Sequence, residues 1–486
     1  MTFPTKPVRL TVALPTYNRA STYLPEAINA ILAQTYQDFE LLVLDNGSVD
    51  GTAQFVLGLN DPRIRYVRNP PGMSIQFNHT AAYQIALGQR IIVTHDDDVM
   101  APEMLEKQMR FMDEHPEVKL VWTNVSHMNE HGEMLDTPPA SGSRLFGPGE
   151  YILDFARERL WPMPSTVMME KGLVQRGVID QYYYGTKVAR CKASDADIAG
   201  LADVTFPAYV NIRAAIGLID KPLLKYRIHT GQGSNRTNIS VPSIYLYRRL
   251  KKFACRSLKN QSAAPLFDSH VLRFVIQDKV CSSEKMLAPR ALRSIQYKVS
   301  KFCQNTLTPD AVYPLLPVHI LLKILGMASA LDAVVPSLPM PMQHAPAMKY
   351  LHKWLQSVMA GRSIFAGIAK EKRIVITGSV FIAALLILEA RAHGYHIVAC
   401  IDSNLNRQGR KLLDVPIHAP GWLATHANAV DWVIFSSEKD QEPALRAMVR
   451  QHAGTPIPTV SWKDLASEQA DQLEQSRGFQ PRMVLR

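Results

Sequence analysis

Residues 90–98 read Arg-Ile-Ile-Val-Thr-His-Asp-Asp-Asp, so three consecutive aspartates follow directly on an apolar run. The apolar run predicts a buried strand over residues 90–94. Adjacent carboxylates at the end of a buried strand repel one another, and a hard divalent cation such as Mg²⁺ or Mn²⁺ compensates them while leaving positions open for phosphate oxygens. The alternative is a solvated helix N-terminus ahead of Pro102 and Glu103, where negative charge is favourable.

Strand and helix patterns alternate before this run. We expect strands over residues 10–14, 40–44 and 64–67 and helices over residues 24–34 and 74–87. This spacing predicts βαβ units and a mostly parallel sheet. In such a sheet the loops after the carboxyl ends of the strands form the binding crevice. The aspartates therefore lie where a ligand is expected.

Two earlier loops carry further candidates at the same edge of the sheet. Asp45 ends the second strand and is followed by Gly47 and Gly51, so its carboxylate suits a base or ribose donor. The alternative is a turn aspartate that caps its own loop. Tyr17, in the loop after the first strand, suits stacking on a base, with a half-buried loop tyrosine as its alternative.

Composition places the chain among ordinary globular proteins, with 486 residues, 47% hydrophobic and 20% charged. A chain of this length is expected to form about three domains of roughly 150 residues each. The five cysteines are scattered without a Cys-x-x-Cys pair, which favours a reducing compartment over a disulfide framework. No leader pattern opens the sequence, and we expect a cytoplasmic protein.

The net charge of +11 is concentrated in one stretch. Residues 1–240 hold 23 Lys and Arg against 26 Asp and Glu, residues 241–361 hold 16 against 5, and residues 362–486 hold 15 against 12. We expect the middle stretch to be helical and to seek an anionic partner. Amphipathic patterns at 243–259 and 315–335 predict docking on the inner face of a membrane, with a basic helical connector as the alternative. No nucleic-acid-binding module is visible, so nucleic acid is not an expected partner.

The last stretch predicts a small Rossmann-like unit, with strands over 372–376, 397–401 and 431–435 and helices over 381–393 and 442–452. Its loop, residues 378–383, reads Gly-Ser-Val-Phe-Ile-Ala and keeps only the first glycine of Gly-x-Gly-x-x-Gly. We therefore expect no NAD and a packing or assembly role. The predicted domains are 1–240, 241–361 and 362–486.

Together with Ser194-Asp195 and Tyr226-Arg227-Ile228-His229 downstream, these loops resemble the family-2 glycosyltransferases of the GT-A fold over about residues 8–234. The resemblance implies an α/β fold with a GT-A nucleotide-sugar domain. It also implies an inverting transferase that moves a sugar from a nucleotide-diphosphate donor to a hydroxyl of a glycan or glycolipid, as in bacterial surface polysaccharide synthesis. The implied cofactor is Mn²⁺ or Mg²⁺.

The resemblance also assigns roles to residues. Asp195 is the implied base, placed opposite the leaving group to take the acceptor hydroxyl's proton. Ser194 stands where the family often has glutamate, and Asp197 follows two residues on. The implied nucleotide pocket consists of Pro15, Thr16, Tyr17, Asn18, Asp45, Asn78 with nearby Asn69, and Asp96. The implied metal ligands are Asp97, Asp98 and His229, and the implied diphosphate loop holds Arg227 and Ser234.

The register of the metal motif stays open at the level of sequence. The family often reads Asp-x-Asp-Asp, which would align His95 with the first aspartate, whereas Asp96-x-Asp98 is the other assignment. Two other functions are also kept. One is a non-catalytic sugar-nucleotide-binding or membrane-docking scaffold, and the other is an NAD-linked sugar oxidoreductase, which the missing glycines oppose.

Overall fold

The structure is a computed structural model that describes residues 7–71, 73, 75–137, 142–173, 195–229, 231–232, 240–282, 287–304, 308–341, 345–378 and 380–478. Within these ranges the side chains of residues 75–77, 195–202 and 474–478 are not described. The chain divides into two compact units. The first comprises Met1–Phe155, Leu160–Gln232 and Lys252–Lys259, and the second Ala156–Arg159, Gly233–Lys251 and Asn260–Arg486.

The first unit is built on a ten-stranded mixed sheet. Its strands are β1 (Leu10–Thr16), β2 (Phe39–Asp45), β3 (Ile64–Arg68), β4 (Arg90–Val93), β5 (Val99–Met100), β6 (Val118–Met128), β7 (Met134–Asp136), β8 (Arg144–Phe146), β9 (Met168–Glu170) and β10 (Ala215–Arg227). The order is β3-β2-β1-β4-β9-β6-β10-β5, with β7 beside β6 and β8 beside β10. Strands β3, β2, β1 and β4 are parallel, so their carboxyl ends share one edge.

Six helices begin in the first unit. They are α1 (Leu24–Leu32), α2 (Thr52–Gly58), α3 (Ile75–Ile85), α4 (Met104–Glu114), α5 (Glu150–Glu158) and α6 (Asp195–Asn211). Helix α1 buries Leu24, Ala27, Ile28 and Ile31, which recur at helical spacing on one face. Residues of β1 and β2 are buried on both faces, as expected for central parallel strands covered by helices.

The second unit combines helices with a smaller sheet. Its helices are α7 (Ser240–Lys252), α8 (Ala264–Ser282), α9 (Pro289–Cys303), α10 (Pro309–Val312), α11 (Leu316–Ile324), α12 (Ala347–Met359), α13 (Phe381–His393), α14 (Leu423–His426), α15 (Glu442–Ala453) and α16 (Trp462–Gly478). A π-helical turn, Phe253–Ser257, continues α7. The strands are β11 (Arg373–Thr377), β12 (His396–Ile401), β13 (Lys411–Leu412), β14 (Val415–His418), β15 (Trp432–Phe435) and β16 (Thr459–Ser461).

The small sheet has the order β13-β14-β12-β11-β15-β16, and its strands are parallel except for the β13–β14 pair. This confirms the predicted α/β fold with a helical middle stretch and a C-terminal sheet. The glycine that ends β11, Gly378, has φ +89° and would place a Cβ 2.6 Å from Ser436 Oγ. The Rossmann-like assignment of this unit, its packing or assembly role and the absence of NAD stay predictions.

The predicted boundary at residue 361 runs through one hydrophobic core. Side chains from α11 and α12 pack in the same buried cluster as those of α13 and β11, including Leu316, Leu351, Ile382 and Ile374. The middle stretch and the C-terminal sheet therefore share their interior. The division into three domains remains a sequence prediction, and the structure groups the chain into two units instead.

The expectation of a membrane-contacting amphipathic face at 315–335 is wrong for this structure. Every residue from Leu316 to Leu322 is buried. The stretch is the most apolar of the chain because it fills the centre of a core, and its few polar residues are paired: His319 and Lys323 both contact Asp332, at 2.7 and 2.6 Å. Among the residues that the structure describes, no helix is both long and apolar enough to cross a membrane.

Candidate active site

The candidate site lies at the carboxyl edge shared by β1, β2 and β4. Thr16 and Asp45 are the last residues of their strands and are paired in register, and the three aspartates follow β4. Pro15 is buried inside β1. The parallel register thus brings together residues that are about 30 and 50 positions apart in the chain, as the sequence analysis predicted for this edge.

The loops after β1 and β2 are tied to each other by three hydrogen bonds. The Asn18 amide donates to Ser48 Oγ at 2.9 Å, and Asn18 Oδ1 accepts from the Val49 amide at 2.8 Å. The Ala20 amide donates to Asp50 Oδ2 at 2.9 Å. Asn18 has φ +53°, a left-handed conformation that asparagine tolerates. Its side chain therefore helps to fix the position of one loop relative to the other.

Asp45 is fully buried and its carboxylate is already bonded by the protein. One oxygen accepts from the Ser48 amide at 2.8 Å, and the other accepts from the Tyr66 hydroxyl at 2.5 Å and lies 3.9 Å from Arg68 Nε. The contact with Ser48 is the loop-capping arrangement that the sequence analysis gave as the alternative. Burial and the hydrogen bond to Asp45 raise the pKa of Tyr66, so this phenol stays protonated and donates. Recognition of a base by Asp45 stays a prediction.

Two asparagines form the wall beside Asp45. Asn78 is buried, donates to the Leu44 carbonyl at 3.0 Å and accepts from Asn69 Nδ2 at 2.6 Å. Tyr17, in contrast, is 55% exposed. An exposed ring in a loop whose neighbouring side chains are held by hydrogen bonds is available for stacking on a planar ligand.

Each of the three aspartates has its own protein partner. Asp96 Oδ2 accepts from Thr16 Oγ1 at 2.7 Å. Asp98 Oδ2 accepts from Ser165 Oγ at 2.6 Å, and its other oxygen accepts from the Arg227 amide at 3.1 Å. The acids are therefore hydrogen-bonded to β1, to the turn that holds Ser165 and to β10. This arrangement differs from the solvated helix N-terminus considered above.

The crowding of these acids appears in their pKa values. Burial, together with the charge of Asp97, raises the pKa of Asp98 to about 8 and that of Asp96 to about 6. Burial would also raise the pKa of Asp97, but the hydrogen bond from His229 and the electrostatic effect of the neighbouring His95 outweigh it and lower the pKa. One of three neighbouring carboxylates thus keeps its charge at the expense of the other two.

His229 contacts this cluster directly. Its Nε2 lies 2.9 Å from Asp97 Oδ2, and its Nδ1 accepts from the Gly231 amide at 3.2 Å. The amide contact assigns the ring proton to Nε2, which then donates to Asp97. The structure therefore brings His229 to the predicted metal ligands. In this arrangement Nε2, the nitrogen that would bind a metal, is hydrogen-bonded to Asp97.

Arg227 is 2% exposed and its guanidinium bonds protein acceptors. Its Nε donates to the Asp97 carbonyl at 2.9 Å, and its terminal nitrogens contact the Asn129 and Glu130 carbonyls and the Glu26 carboxylate. The guanidinium also lies 4.7 Å from the centre of the Tyr23 ring. These contacts hold the end of β10 against the aspartates, so Arg227 positions the acid cluster. Its predicted contact with a diphosphate stays a prediction.

A group of donor atoms suited to a cation is present. One ligand atom each from His95, Asp97 and Asp98 can be chosen so that all lie within 4.8 Å of one another. Carboxylate oxygens suit Mg²⁺ and Mn²⁺, and the raised pKa of Asp98 is what clustered carboxylates show without a counter-charge. The donor set therefore fits a hard divalent cation, and it includes His95, the residue that one sequence register placed in the motif.

Four residues named in the sequence analysis lie at or beyond the limits of description. Helix α6 begins at Asp195, so the predicted base sits at a helix N-terminus, but the side chains of Asp195 and Asp197 are outside the described residues. Ser194 and Ser234 fall outside the described residues altogether. Their roles remain predictions.

Sequence reasoning missed three residues of the network. Ser165 lies in the 3₁₀ turn Pro164–Thr166 and bonds Asp98, Glu26 in α1 bonds Arg227, and Tyr66 in β3 bonds Asp45. Ser165 and Glu26 have no local pattern that marks them. Tyr66 had a usable signal, because in a parallel β2–β3 pair it lies two residues before the partner of Asp45.

Comparison with known proteins shows which family the sequence around the candidate site resembles. Residues 11–169 match the sequence model of Glycosyl transferase family 2. These residues contain β1 to β9 and all three aspartates. The match confirms, for residues 11–169, the resemblance to the family-2 glycosyltransferases seen in the sequence.

Individual relatives also match parts of the chain. An uncharacterized glycosyltransferase of Methanocaldococcus jannaschii is 28% identical over 251 residues, which are 50% of this chain and 78% of that protein. WfgD of Escherichia coli, described as a UDP-Glc:alpha-D-GlcNAc-diphosphoundecaprenol beta-1,3-glucosyltransferase, is 32% identical over 103 residues, or 21% of this chain and 40% of WfgD. The solved structure of Staphylococcus aureus TarS residues 1–349 with UDP-GlcNAc aligns with a TM-score of 0.41 at 17% identity, covering 73% of this chain and 93% of that one.

Proposed function

We propose that this protein is an inverting, metal-dependent glycosyltransferase that moves a sugar from a nucleotide-diphosphate donor to a hydroxyl of a glycan or glycolipid acceptor. The observation that carries the proposal is the cluster Asp96, Asp97 and Asp98 at the carboxyl edge of the parallel strands, inside the family 2 domain. The non-catalytic scaffold is less favoured, because the chain retains both this buried acid network and an aspartate at the start of α6.

Asp97 and Asp98, with His95 or His229, would hold a Mg²⁺ or Mn²⁺ ion. His95 is included by its distance to both acids and His229 by its contact with Asp97. When bound, such an ion stabilises the negative charge of a departing diphosphate. Thr16 orients Asp96, Ser165 and the Arg227 amide orient Asp98, and His229 orients Asp97. A donor would thus meet carboxylates that are already positioned.

On this proposal Asp195 is the base. As the acceptor oxygen forms its bond to the anomeric carbon, the Asp195 carboxylate takes the hydroxyl proton and the bond to the nucleoside diphosphate breaks on the opposite face. The electron pair of that bond leaves with the diphosphate. Pro15, Thr16, Tyr17, Asn18, Asp45 and Asn78 are proposed to form the nucleotide pocket, with Ser234 and Arg227 near the diphosphate.

The test is a donor panel. Purified protein with UDP- and GDP-sugars and Mn²⁺ or Mg²⁺ should release nucleoside diphosphate with at least one donor, and EDTA should abolish that release. The double variant Asp97→Asn, Asp98→Asn should lose turnover while remaining folded. Glu114→Gln, which changes an exposed acid on α4, is the matched control and should behave as wild type. Full turnover in EDTA would exclude the metal-dependent proposal.

The acceptor and the location of the enzyme are also proposed. WfgD carries a lipid-linked acceptor in its description, and residues 241–361 of the present chain carry a net charge of +11 (16 basic against 5 acidic residues). We propose a glycolipid or surface-polysaccharide acceptor and peripheral binding to the anionic inner face of a bacterial membrane. Within α7, Lys251 is paired with Asp268 at 2.5 Å, whereas Arg248 and Lys252 are exposed. The exposed pair is therefore the better candidate for contact with lipid.

A further inference from the structure

Helix α9 exposes a continuous basic face. Among Pro289–Cys303 four residues are basic and none is acidic. Arg290, Arg293 and Lys301 are exposed and recur at the spacing of one helix face, with Tyr297 between them at 65% exposure. The opposite side of the helix buries Leu292, Ile295 and Val299. A tyrosine flanked by basic side chains on one exposed face is typical of helices that meet a membrane surface.

An open cleft lies beside the carboxyl end of this face. It has a volume of about 410 Å³ and is lined by Leu272 of α8, by Lys298, Lys301 and Phe302 of α9, and by Gln304. We call it the lysine cleft. Its lining combines two ammonium groups with two apolar side chains and an amide. This mixture suits a ligand that has an anionic group next to an apolar one.

Among the residues that the structure describes, the lining of the lysine cleft contains two basic side chains, Lys298 and Lys301. Partial burial and the neighbouring Lys279 of α8 lower the pKa of Lys298. In the described part of the chain, no carboxylate pairs with Lys298 or Lys301. The charge of the Asp278 carboxylate interacts with Lys279. One carboxylate offsets one of the two neighbouring ammonium groups, so a bound anion would stabilise the other.

The dipole of α9 explains only part of this charge. Lysine in the last turn of a helix is favourable because it meets the free carbonyls, which accounts for Lys301. It does not account for Lys298 lying next to Lys279, since a contact between like charges adds repulsion without improving either helix end. The feature that points to a ligand is the cleft itself, in which Lys298 and Lys301 lie beside the apolar side chains of Leu272 and Phe302.

We propose that the lysine cleft binds the phosphate group of an anionic lipid, with Lys298 and Lys301 contacting phosphate oxygens and Leu272 and Phe302 contacting the adjoining hydrocarbon. The exposed face of α9 would then lie against the same lipid surface, with Tyr297 at the level of the headgroups. The proposal rests on the proposed peripheral location of the enzyme and specifies the residues that provide it.

The experiment is vesicle flotation of the full-length protein with phosphatidylcholine vesicles that contain or lack phosphatidylglycerol. Wild type should bind only the anionic vesicles. The variant Lys298→Ser, Lys301→Ser should bind them about 30-fold more weakly, or about five-fold per lysine, which corresponds to about 1 kcal/mol each. The charge-conserving variant Lys298→Arg, Lys301→Arg should retain most of the binding.

The matched control is Arg410→Ser, Lys411→Ser, which removes two exposed charges at β13 in the same unit. It should bind vesicles as wild type does, and an equal loss in both serine variants would overturn the site in favour of diffuse charge. Inorganic pyrophosphate is the second probe. Saturable, lysine-dependent binding of pyrophosphate without any vesicle binding would show that the cleft binds a free phosphate compound and not a lipid. Nucleoside diphosphate release with a soluble acceptor should be unchanged in the cleft variant, so failure of vesicle binding is separable from failure of the proposed transferase activity.

Discussion

At the scale of single residues, the candidate site depends on which group balances each carboxylate. Asp97 is held by His229 and Asp98 by Ser165 and a backbone amide, while Arg227 bonds the Asp97 carbonyl from behind. Because these bonds come from two separate segments, the end of β10 and the turn that holds Ser165, the geometry of the cluster depends on the folded sheet. A substitution at one of these supporting residues should therefore change the geometry of the acid cluster, although the residue itself does not contact the substrate.

Arg227→Met tests this support. It should destabilise the first unit by about 2 kcal/mol or more, because several buried acceptors lose their donor at once. Affinity for Mn²⁺ should fall with it, since the Asp97 carbonyl is no longer held. Thermal unfolding and Mn²⁺ titration measure the two effects. Arg213→Met, which removes an exposed arginine that lies 5.1 Å from the Tyr209 ring, is the control and should change neither.

Asp195→Asn tests the proposed base. The amide keeps the shape of the side chain but cannot accept the proton, so turnover should fall by about 10²-fold or more. Donor binding, measured by isothermal titration with a nucleotide sugar, should persist. Asp197→Asn, two residues further along α6, is the paired variant. Loss of turnover in Asp197→Asn with near wild-type turnover in Asp195→Asn would transfer the role to Asp197.

At the scale of elements, helix α13 carries a buried acid in an apolar environment. Residues 381–390 are all buried, and the Glu389 carboxylate accepts from the Ile364 amide at 2.8 Å and from the Trp354 indole. Burial outweighs these donors and raises the pKa of Glu389 from its usual 4.5 to about 7. The folded state therefore binds this proton more tightly than the unfolded chain does.

The stability of the second unit should consequently fall as pH rises. The contribution of the protonated Glu389 is complete below about pH 4.5 and is lost as pH passes through 7, a change of about 3 kcal/mol. Melting temperature measured between pH 5 and 8 should show this slope in wild type. Glu389→Gln should flatten it, whatever its absolute stability, and the exposed Glu371→Gln should not. An unchanged slope in Glu389→Gln would assign the pH dependence to other groups.

Helices and strands could be predicted from the sequence where their hydrophobic periodicity is clear. Site residues could be predicted where they directly follow a strand. The helix expected over 381–393 is Phe381–His393, and the strands expected over 10–14 and 40–44 are Leu10–Thr16 and Phe39–Asp45. The stretch 315–335 was misread because periodicity does not separate a core helix from a membrane-facing one. Partners such as Ser165 could not be found, since a contact across 67 residues with Asp98 depends on tertiary structure alone.

At the scale of the whole molecule, the chain should behave as two folding units with unequal tolerance of truncation. The core of the second unit draws residues from α11 and α12 as well as from the small sheet. A fragment of residues 362–486 lacks the former and would expose the buried face of α13 to water. It should show no cooperative thermal transition, whereas residues 240–486 should. Circular dichroism melting of both fragments decides this, and a cooperative transition in the shorter one would restore the three-domain division.

The three bonds that join the loops after β1 and β2 have a consequence for kinetics. Asn18, Ser48 and Asp50 are engaged with backbone amides before any nucleotide arrives. Immobilising a loop during association slows capture and weakens it, because freedom is lost at that moment. Here that freedom is lost once, when the polypeptide folds. A nucleotide sugar should therefore bind in a single concentration-dependent phase. Its residence time should be set by the rate at which it dissociates from loops that are already rigid.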